Sequence, residues 1–257
     1  MKKFFTERKL NIIFSVTAVL IMWLVWIIAY YSIKNDYIVP SFSDTMVSLW
    51  NCLCSGEFWT AFAFTLLRTL GAFALSFALA AVFAALSAVS KSASALIKPV
   101  MVFFRTVPTL AIILILLIWT SAKVAPIIVT VLVLFPMIYS QMTAATENVD
   151  GELIQMAKMY GVSKEERLFK IYLPQISPDV FSQTGANVSL GIKVMISAEV
   201  LANTYKSLGG MMQSARSFLE IPRLAALTLI AVLLGLVADI AFSQLKRINS
   251  KWREGAK

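Results

Sequence analysis

Long uncharged apolar runs alternate with short polar connections along this chain. Leu10–Ile33 is uncharged and rich in Ile, Val and Trp. Thr69–Ser90 is uncharged and rich in Ala, Leu and Phe. Thr106–Ala122 and Val124–Thr146 follow, parted only by Lys123, and Leu224–Leu245 closes the set with Asp239 near its end. Pro178–Leu201 is a weaker run. A bilayer core takes roughly 20 apolar residues per helix, so the pattern predicts about six membrane-crossing helices and an all-α, polytopic membrane fold. Leu10–Ile33 is too long for the apolar core of a signal peptide and no small-residue cleavage site follows it, so a retained helix is expected. Between the first two runs, Lys34–Thr60 is polar, and a short surface helix is expected around Phe42–Leu53. No internal repeat stands out.

Composition agrees with the pattern. Apolar types make up 59% of 257 residues and charged types 14%. Soluble domains carry about 45–50% and about 25% respectively. The net charge is +9, but the basic residues flank apolar runs and form no stripe with interleaved aromatics, which argues against nucleic acid as a partner. Lys2, Lys3, Arg8 and Lys9 precede the first run; Lys91 and Lys98 lie between the second and third. Lys158, Lys164, Arg167 and Lys170 lie between the fourth and fifth, and Lys246, Arg247, Lys251, Arg253 and Lys257 form the tail. Alternate connections hold fewer cations, so both termini are expected on the cytoplasmic side of a plasma membrane.

Chemistry is sparse. The chain has no histidine and two cysteines, Cys52 and Cys54. A metal site takes about four ligands of Cys or His type, so neither a metal nor another cofactor is expected. No phosphate-binding G-x-x-x-x-G-K-[ST] loop is present, and Gly209-Gly210 lacks both lysine and spacing. The chain therefore cannot hydrolyse ATP by the usual means, and no catalytic constellation can be assembled.

The connection 147–174 is too charged to cross a bilayer yet strongly patterned. Leu153, Met156, Ala157 and Tyr160 fall at i, i+3, i+4 and i+7 on one helical face. Gly161 is placed to cap that helix. Ser163 and Glu166 form a capping box for a second helix, with an apolar face of Leu168, Ile171 and Tyr172, which Pro174 is expected to end. The pattern fits a loop folded back on its own bundle, or a docking element for a soluble partner. For docking, Ala157 allows close approach, and Met156 and Met159 fill an irregular groove.

Within Pro178–Leu201 stand Gln183, Asn187, Lys193 and Glu199. A charge near the bilayer centre costs about 2.5–3.5 kcal/mol on insertion scales, so this helix should face protein or water rather than lipid. Helix packing and lining of a pathway are both open. Arg68 and Arg105 lie at the edges of the second and third runs, suited either to snorkelling or to a structural or gating role. Pro108, Pro126 and Pro136 suggest kinks.

The run Gln155-Met156-Ala157, three residues, Gly161, nine residues, Ile171, one residue, Leu173-Pro174 resembles the cytoplasmic "EAA" loop of binding-protein-dependent ABC importer permeases, with Gln155 and Met156 replacing Glu and Ala. Thr65–Leu70 resembles the start of that family's core domain. Arg105-Thr106-Val107-Pro108-Thr109-Leu110-Ala111 resembles its Arg-x-Ile-Pro-x-x-Ala segment. Ser197–Leu201 with Leu208-Gly209-Gly210 is similar to a segment of the nitrate/sulfonate/taurine branch. Where that branch carries Trp-Phe-Gly, Trp119-Thr120-Ser121 stands here.

The resemblance implies a type I importer permease fold. It divides the chain into residues 1–59 (tail, first helix and external segment), a core domain over 60–245, and a basic tail over 246–257. It implies a bacterial inner-membrane location and three partners: an ABC ATPase dimer, an extracytoplasmic solute-binding protein, and a second permease copy, a homodimer being expected. Leu153, Gln155, Met156, Ala157, Tyr160, Gly161, Ile171, Leu173 and Pro174 would engage the ATPase. Arg105, Pro108, Gln183, Asn187, Lys193 and Glu199 are candidates for the solute pathway. An ion-gradient-driven carrier is the alternative, although its expected intramembrane carboxylates are reduced here to Glu199 and Asp239 near span ends.

Overall fold

A computed structural model describes the backbone over residues 2–254 and the side-chain surroundings of Phe14 and of residues 17–242. The terminal cations that set the expected orientation therefore lie outside the described side chains. The described residues form only helices and connections.

The order is α1 Lys2–Ile33, α2 Phe42–Cys54, α3 Gly56–Val89, α4 Lys91–Thr106, α5 Thr109–Trp119 and α6 Ala125–Glu147. Then come α7 Gly151–Met159, α8 Lys164–Arg167, a π-turn Leu168–Tyr172, α9 Leu173–Ala202, α10 Leu208–Ser217 and α11 Ile221–Glu254. Four stretches are long and apolar enough to cross a membrane: Gly56–Val89, Ala125–Glu147, Lys164–Ala202 and Ile221–Phe242. The pair α4–α5 is apolar and long enough for a fifth when its two bent halves are counted as one span, and Thr17–Ile33 of α1 is a further apolar helix.

Helix α3 shows why the bundle closes tightly. Its buried residues Phe58, Ala61, Thr65, Thr69, Ala72, Ser76, Ala80 and Ala84 recur every three or four positions, and most are small. In lipid, where apolar side chains gain little by leaving the solvent, small residues let backbones approach and dispersion contacts accumulate. Two of the buried hydroxyls are satisfied within the helix: Thr69 donates to the Thr65 carbonyl at 2.8 Å and Ser76 to that of Ala72 at 2.7 Å. Toward one end Ala80 and Ala84 meet Ile97 and Met101 of α4 and Leu134, Ile138 and Tyr139 of α6. Toward the other, Phe58 and Ala61 join Val188, Ile192 and Ile196 of α9, Leu208 and Met211 of α10, and Leu227 of α11.

Three elements depart from the sequence expectations. The span expected over Thr106–Ala122 is broken: α4 and α5 meet at a bend of 91°. Proline removes a donor and drives the residue before it out of the helical region, and Val107 is extended at φ −68° and ψ 129°. Lys91 and Lys98, expected in a loop, consequently ride on α4. The second span begins at Gly56 rather than Thr69, because Ser55 caps it by accepting from the Phe58 N–H and because Arg68 finds a partner inside the bundle. Finally, Pro174 does not end a helix. The chain runs on through the π-turn, where the Leu173 N–H bonds to the Leu168 carbonyl, and Pro174 sits in the first turn of α9. The wider turn gives the ring the space it lacks in a regular helix.

The short helix expected around Phe42–Leu53 appears as α2. Ser41 caps it, accepting from the Asp44 N–H at 3.0 Å. Trp23 and Trp26 of α1 meet Phe42 edge-on, with centroids 6.0 and 5.8 Å apart.

Candidate functional site

The polar residues of the bundle gather on α9. Its C-terminal end carries Glu199, whose side chain is fully buried. Arg68 of α3 places Nη1 3.0 Å from Glu199 Oε1, and Thr65 Oγ1 donates to Oε2 at 2.8 Å. The first turn of α10 completes the ring: the Gly209 N–H points at Oε2 at 3.4 Å, and the Leu208 N–H donates to Thr65 Oγ1 at 3.0 Å. The unpaired N–H groups that begin a helix carry partial positive charge, which suits a carboxylate. Glycine is required at 209. A Cβ there would collide with the Glu199 Cβ and come within 2.6 Å of the Val200 nitrogen and 2.7 Å of the Ile196 carbonyl.

Midway along the bundle, Asn187 of α9 and Gln141 of α6 exchange two amide hydrogen bonds, at 3.0 and 2.7 Å. Asn187 is buried, and Gln183 one turn away is half-buried. Lys193 is exposed and borders a cavity of about 360 Å³ between α9, α10 and α11. Arg105 is exposed on α4, its Nη1 3.2 Å from Ser140 Oγ, and Pro108 stands exposed at the break. Glu199 and Asn187 are thus spent on neighbouring helices, whereas Lys193, Arg105 and Pro108 face outward from the single chain. Lys193 and Glu199 do not pair; the partner of Glu199 is Arg68.

The loop 147–174 has the local chemistry its sequence predicts. The Asp150 carboxylate caps α7, accepting from the Glu152 N–H at 2.9 Å. Gly161 turns the chain at φ +71°, where a side chain would be strained. The Ser163–Glu166 capping box is formed in both directions. Leu153, Met156, Met159 and Tyr160 remain exposed, Tyr160 to 82%. Ala157 is the exception: it is buried, and its carbonyl accepts from the Val162 N–H at 2.9 Å. Gln155, Leu173 and Pro174 are exposed and Ile171 is half-buried.

The arrangement of a broken span, a half-helix at one face and an uncovered helical loop at the other is the setting for the comparisons. A family model, binding-protein-dependent transport system inner membrane component, matches residues 78–249. The chain belongs to this family. The putative aliphatic sulfonates transport permease protein SsuC of Escherichia coli (strain K12) is 28% identical over 222 residues, covering 84% of this chain and 82% of the relative. The taurine transport system permease protein TauC of the same organism is 25% identical over 166 residues, covering 63% of this chain and 59% of the relative. These matches place the permease in the nitrate/sulfonate/taurine branch. In the crystal structure of an amino acid ABC transporter with histidines, one chain aligns with a TM-score of 0.59 at 17% identity, covering 73% of this permease and 89% of that chain. That likeness concerns the fold, a type I permease. The chain is therefore a multi-pass inner-membrane permease subunit of an ABC importer, and the gradient-driven alternative falls away.

Sequence reading singled out Arg68 and Glu199 separately, touched Thr65 only within the stretch Thr65–Leu70, and missed their union, as it missed Gln141. The signal for the first was available: a lone cation and a lone carboxylate in apolar helices each need a partner. Nothing local says which one, because 131 residues separate them.

Proposed function

We propose that this permease conducts a small solute handed over by an extracytoplasmic binding protein, and that a separate ABC ATPase dimer drives it through α7 and the turn that follows. Two copies of the chain would form the conducting pair, with both termini cytoplasmic. The observation that carries the coupling assignment is the uncovered apolar face of α7. Leu153, Met156 and Tyr160 stand exposed on a helix with a capped start, a glycine turn and a capping box behind it. A rigid element that leaves apolar side chains in water suits a protein partner. Gln155, Gly161, Ile171, Leu173 and Pro174 would set the angle at which α7 enters the ATPase, and buried Ala157 would keep the turn compact.

For the pathway, the outward-facing Arg105, Pro108 and Lys193 and the half-buried Gln183 are the candidates for contact with solute. Asn187 and Glu199 would hold the helices that carry these groups. Names of relatives such as SsuC and TauC favour a small organic solute.

The test is co-purification with the partner ATPase, followed by substrate-stimulated hydrolysis. Met156→Glu and Tyr160→Ala should release the ATPase and abolish stimulation while leaving the melting temperature of the permease unchanged. Retention of the ATPase after deletion of residues 151–160 would refute the docking role.

A further inference from the structure

The seam between α9 and α11 contains a cation with nothing to balance it. Ser189, Lys193 and Ser197 follow at i, i+4 and i+8 on α9 and line the cavity of about 360 Å³, opposite Thr228 and Gly235 of α11 and beside Met212 of α10. Among the described residues, neither Lys193 Nζ nor Ser189 Oγ has a hydrogen-bond or ion-pair partner. Ser197 spends its proton on the Lys193 carbonyl, at 2.8 Å. The wall opposite is cut back to backbone where the lysine stem passes. A Cβ on Gly235 would come 3.1 Å from Ser189 Oγ and 3.9 Å from Lys193 Cε.

Depth makes the missing balance significant. Lys193 stands nine residues before the C-terminal end of α9 at Ala202, about 14 Å at 1.5 Å per residue. Gly235 on the facing wall stands fourteen residues into α11 from Ile221, about 21 Å, so Lys193 lies well inside the apolar spans and not at a helix end. The acidic group on the same seam is Asp239. Its Oδ1 lies 3.2 Å from where a Cβ of Gly185 would stand. Gly185 is eight residues below Lys193, about 12 Å along the helix axis. A second copy inserted in the same orientation would present its own Lys193 at the same depth and its Asp239 again deeper. Pairing two chains therefore adds positive potential at this level.

We propose that Lys193 and Ser189 form a relay site that takes the anionic head of the transported solute (a carboxylate, sulfonate or phosphate group) within the membrane-spanning part of the bundle. The inference rests on the reading of this chain as the solute-conducting subunit. The ammonium and the Ser189 hydroxyl supply the donors. Ser197 leaves a lone pair for a solute hydroxyl or amine, and Met212 and the apolar wall of α11 accept a short carbon tail. Such a site favours a solute with one anionic head and discriminates against a cationic one by like-charge repulsion.

The experiment uses the full chain in phosphatidylcholine nanodiscs, its lysines carrying ¹³C-methyl labels added by reductive methylation. Lys193→Arg identifies the Lys193 signal by removing it. Ethanesulfonate, acetate and inorganic phosphate are titrated, with ethylammonium and chloride as controls. The expected result is a saturable shift of the Lys193 signal with the three oxyanions, absent with the controls, and weakened several-fold by Ser189→Ala while the other lysine signals stay in place. A Lys193 signal indifferent to the oxyanions overturns the proposal. So does one that responds equally to chloride, one that moves only when phosphatidylglycerol enters the nanodisc, or one released only by Asp239→Asn. The readout needs no ATPase. An anion-blind Lys193 in a permease that still retains its ATPase refutes the relay site alone, and loss of ATPase retention refutes the coupling assignment alone.

Discussion

Arg68 and Glu199 form an ion pair at 3.0 Å inside the bundle, and the first turn of α10 closes over it. Glu199 is wholly removed from solvent and Arg68 keeps 15% of its side chain exposed. The pair joins α3, α9 and α10, so the half-helix cannot move independently of the two spans while the ring is intact.

Removing one member of a buried pair leaves an uncompensated charge, at a cost of about 3–5 kcal/mol. Glu199→Ala and Arg68→Ala should each destabilise the permease by that order in a detergent unfolding titration. The double variant should lose markedly less than the two losses added together, by about 0.5–3 kcal/mol of coupling. Additive losses would show that the contact contributes nothing as a pair.

The reciprocal amides of Gln141 and Asn187 invite a second cycle. Either one replaced by Leu leaves the other's amide without its partner in a part-buried interface, at about 1–3 kcal/mol. The double Leu variant should recover most of that loss, because two apolar groups meet where two polar ones met. Stability is read by thermal unfolding and solute uptake in parallel. Since the Asn187 amide is already spent on Gln141, uptake is expected to recover with stability. Stability that returns without uptake would place Asn187 in contact with solute.

Local chemistry was legible in the sequence, and pairing across the bundle was not. Ser163 with Glu166, Gly161 and the α2 segment are each specified within a few residues, and each formed as expected. The bend at Pro108 was half-readable. Proline announces a break, but the 91° angle comes from α5 packing Ile113 against Val129 and Ala198. Pro174 misled because a π-turn absorbs the ring, and no residue type signals a π-turn. Arg68 shortened the predicted second span because hydropathy charges every arginine as if it faced lipid. Its partner lies far off in sequence, so the discount is invisible until the helices meet.

The two cysteines report on the side of the membrane that α2 occupies. Cys54 is exposed and Cys52 is 5% exposed in the core beneath α2. Burial pushes the Cys52 thiol above its usual range, and nearby Arg223 offsets this only in part. The thiolate is the reactive form, so a raised value moves Cys52 reactivity to higher pH. A membrane-impermeant maleimide applied to intact cells should label a Cys52→Ala variant rapidly. A Cys54→Ala variant should react far more slowly, its rate still climbing as pH rises beyond the ordinary thiol range. Labelling of Cys54 only after the membrane is opened would reverse the proposed orientation.

Gly161 is where backbone strain and coupling can be separated. At φ +71° a side chain other than glycine costs about 1–2 kcal/mol, with asparagine the least penalised. Nothing lies within 4 Å of the space a Cβ would occupy, so the penalty is conformational and not steric. Gly161→Asn should leave the turn, ATPase retention and uptake close to those of the parent. Gly161→Val should force the turn into another conformation and re-aim α7. Because the turn is exposed and outside the packed bundle, the melting temperature should fall only slightly in either variant. Uptake and substrate-stimulated hydrolysis should then separate the two, with Val losing both. A valine variant that couples normally would mean that the direction of α7 is set by the partner and not by the turn.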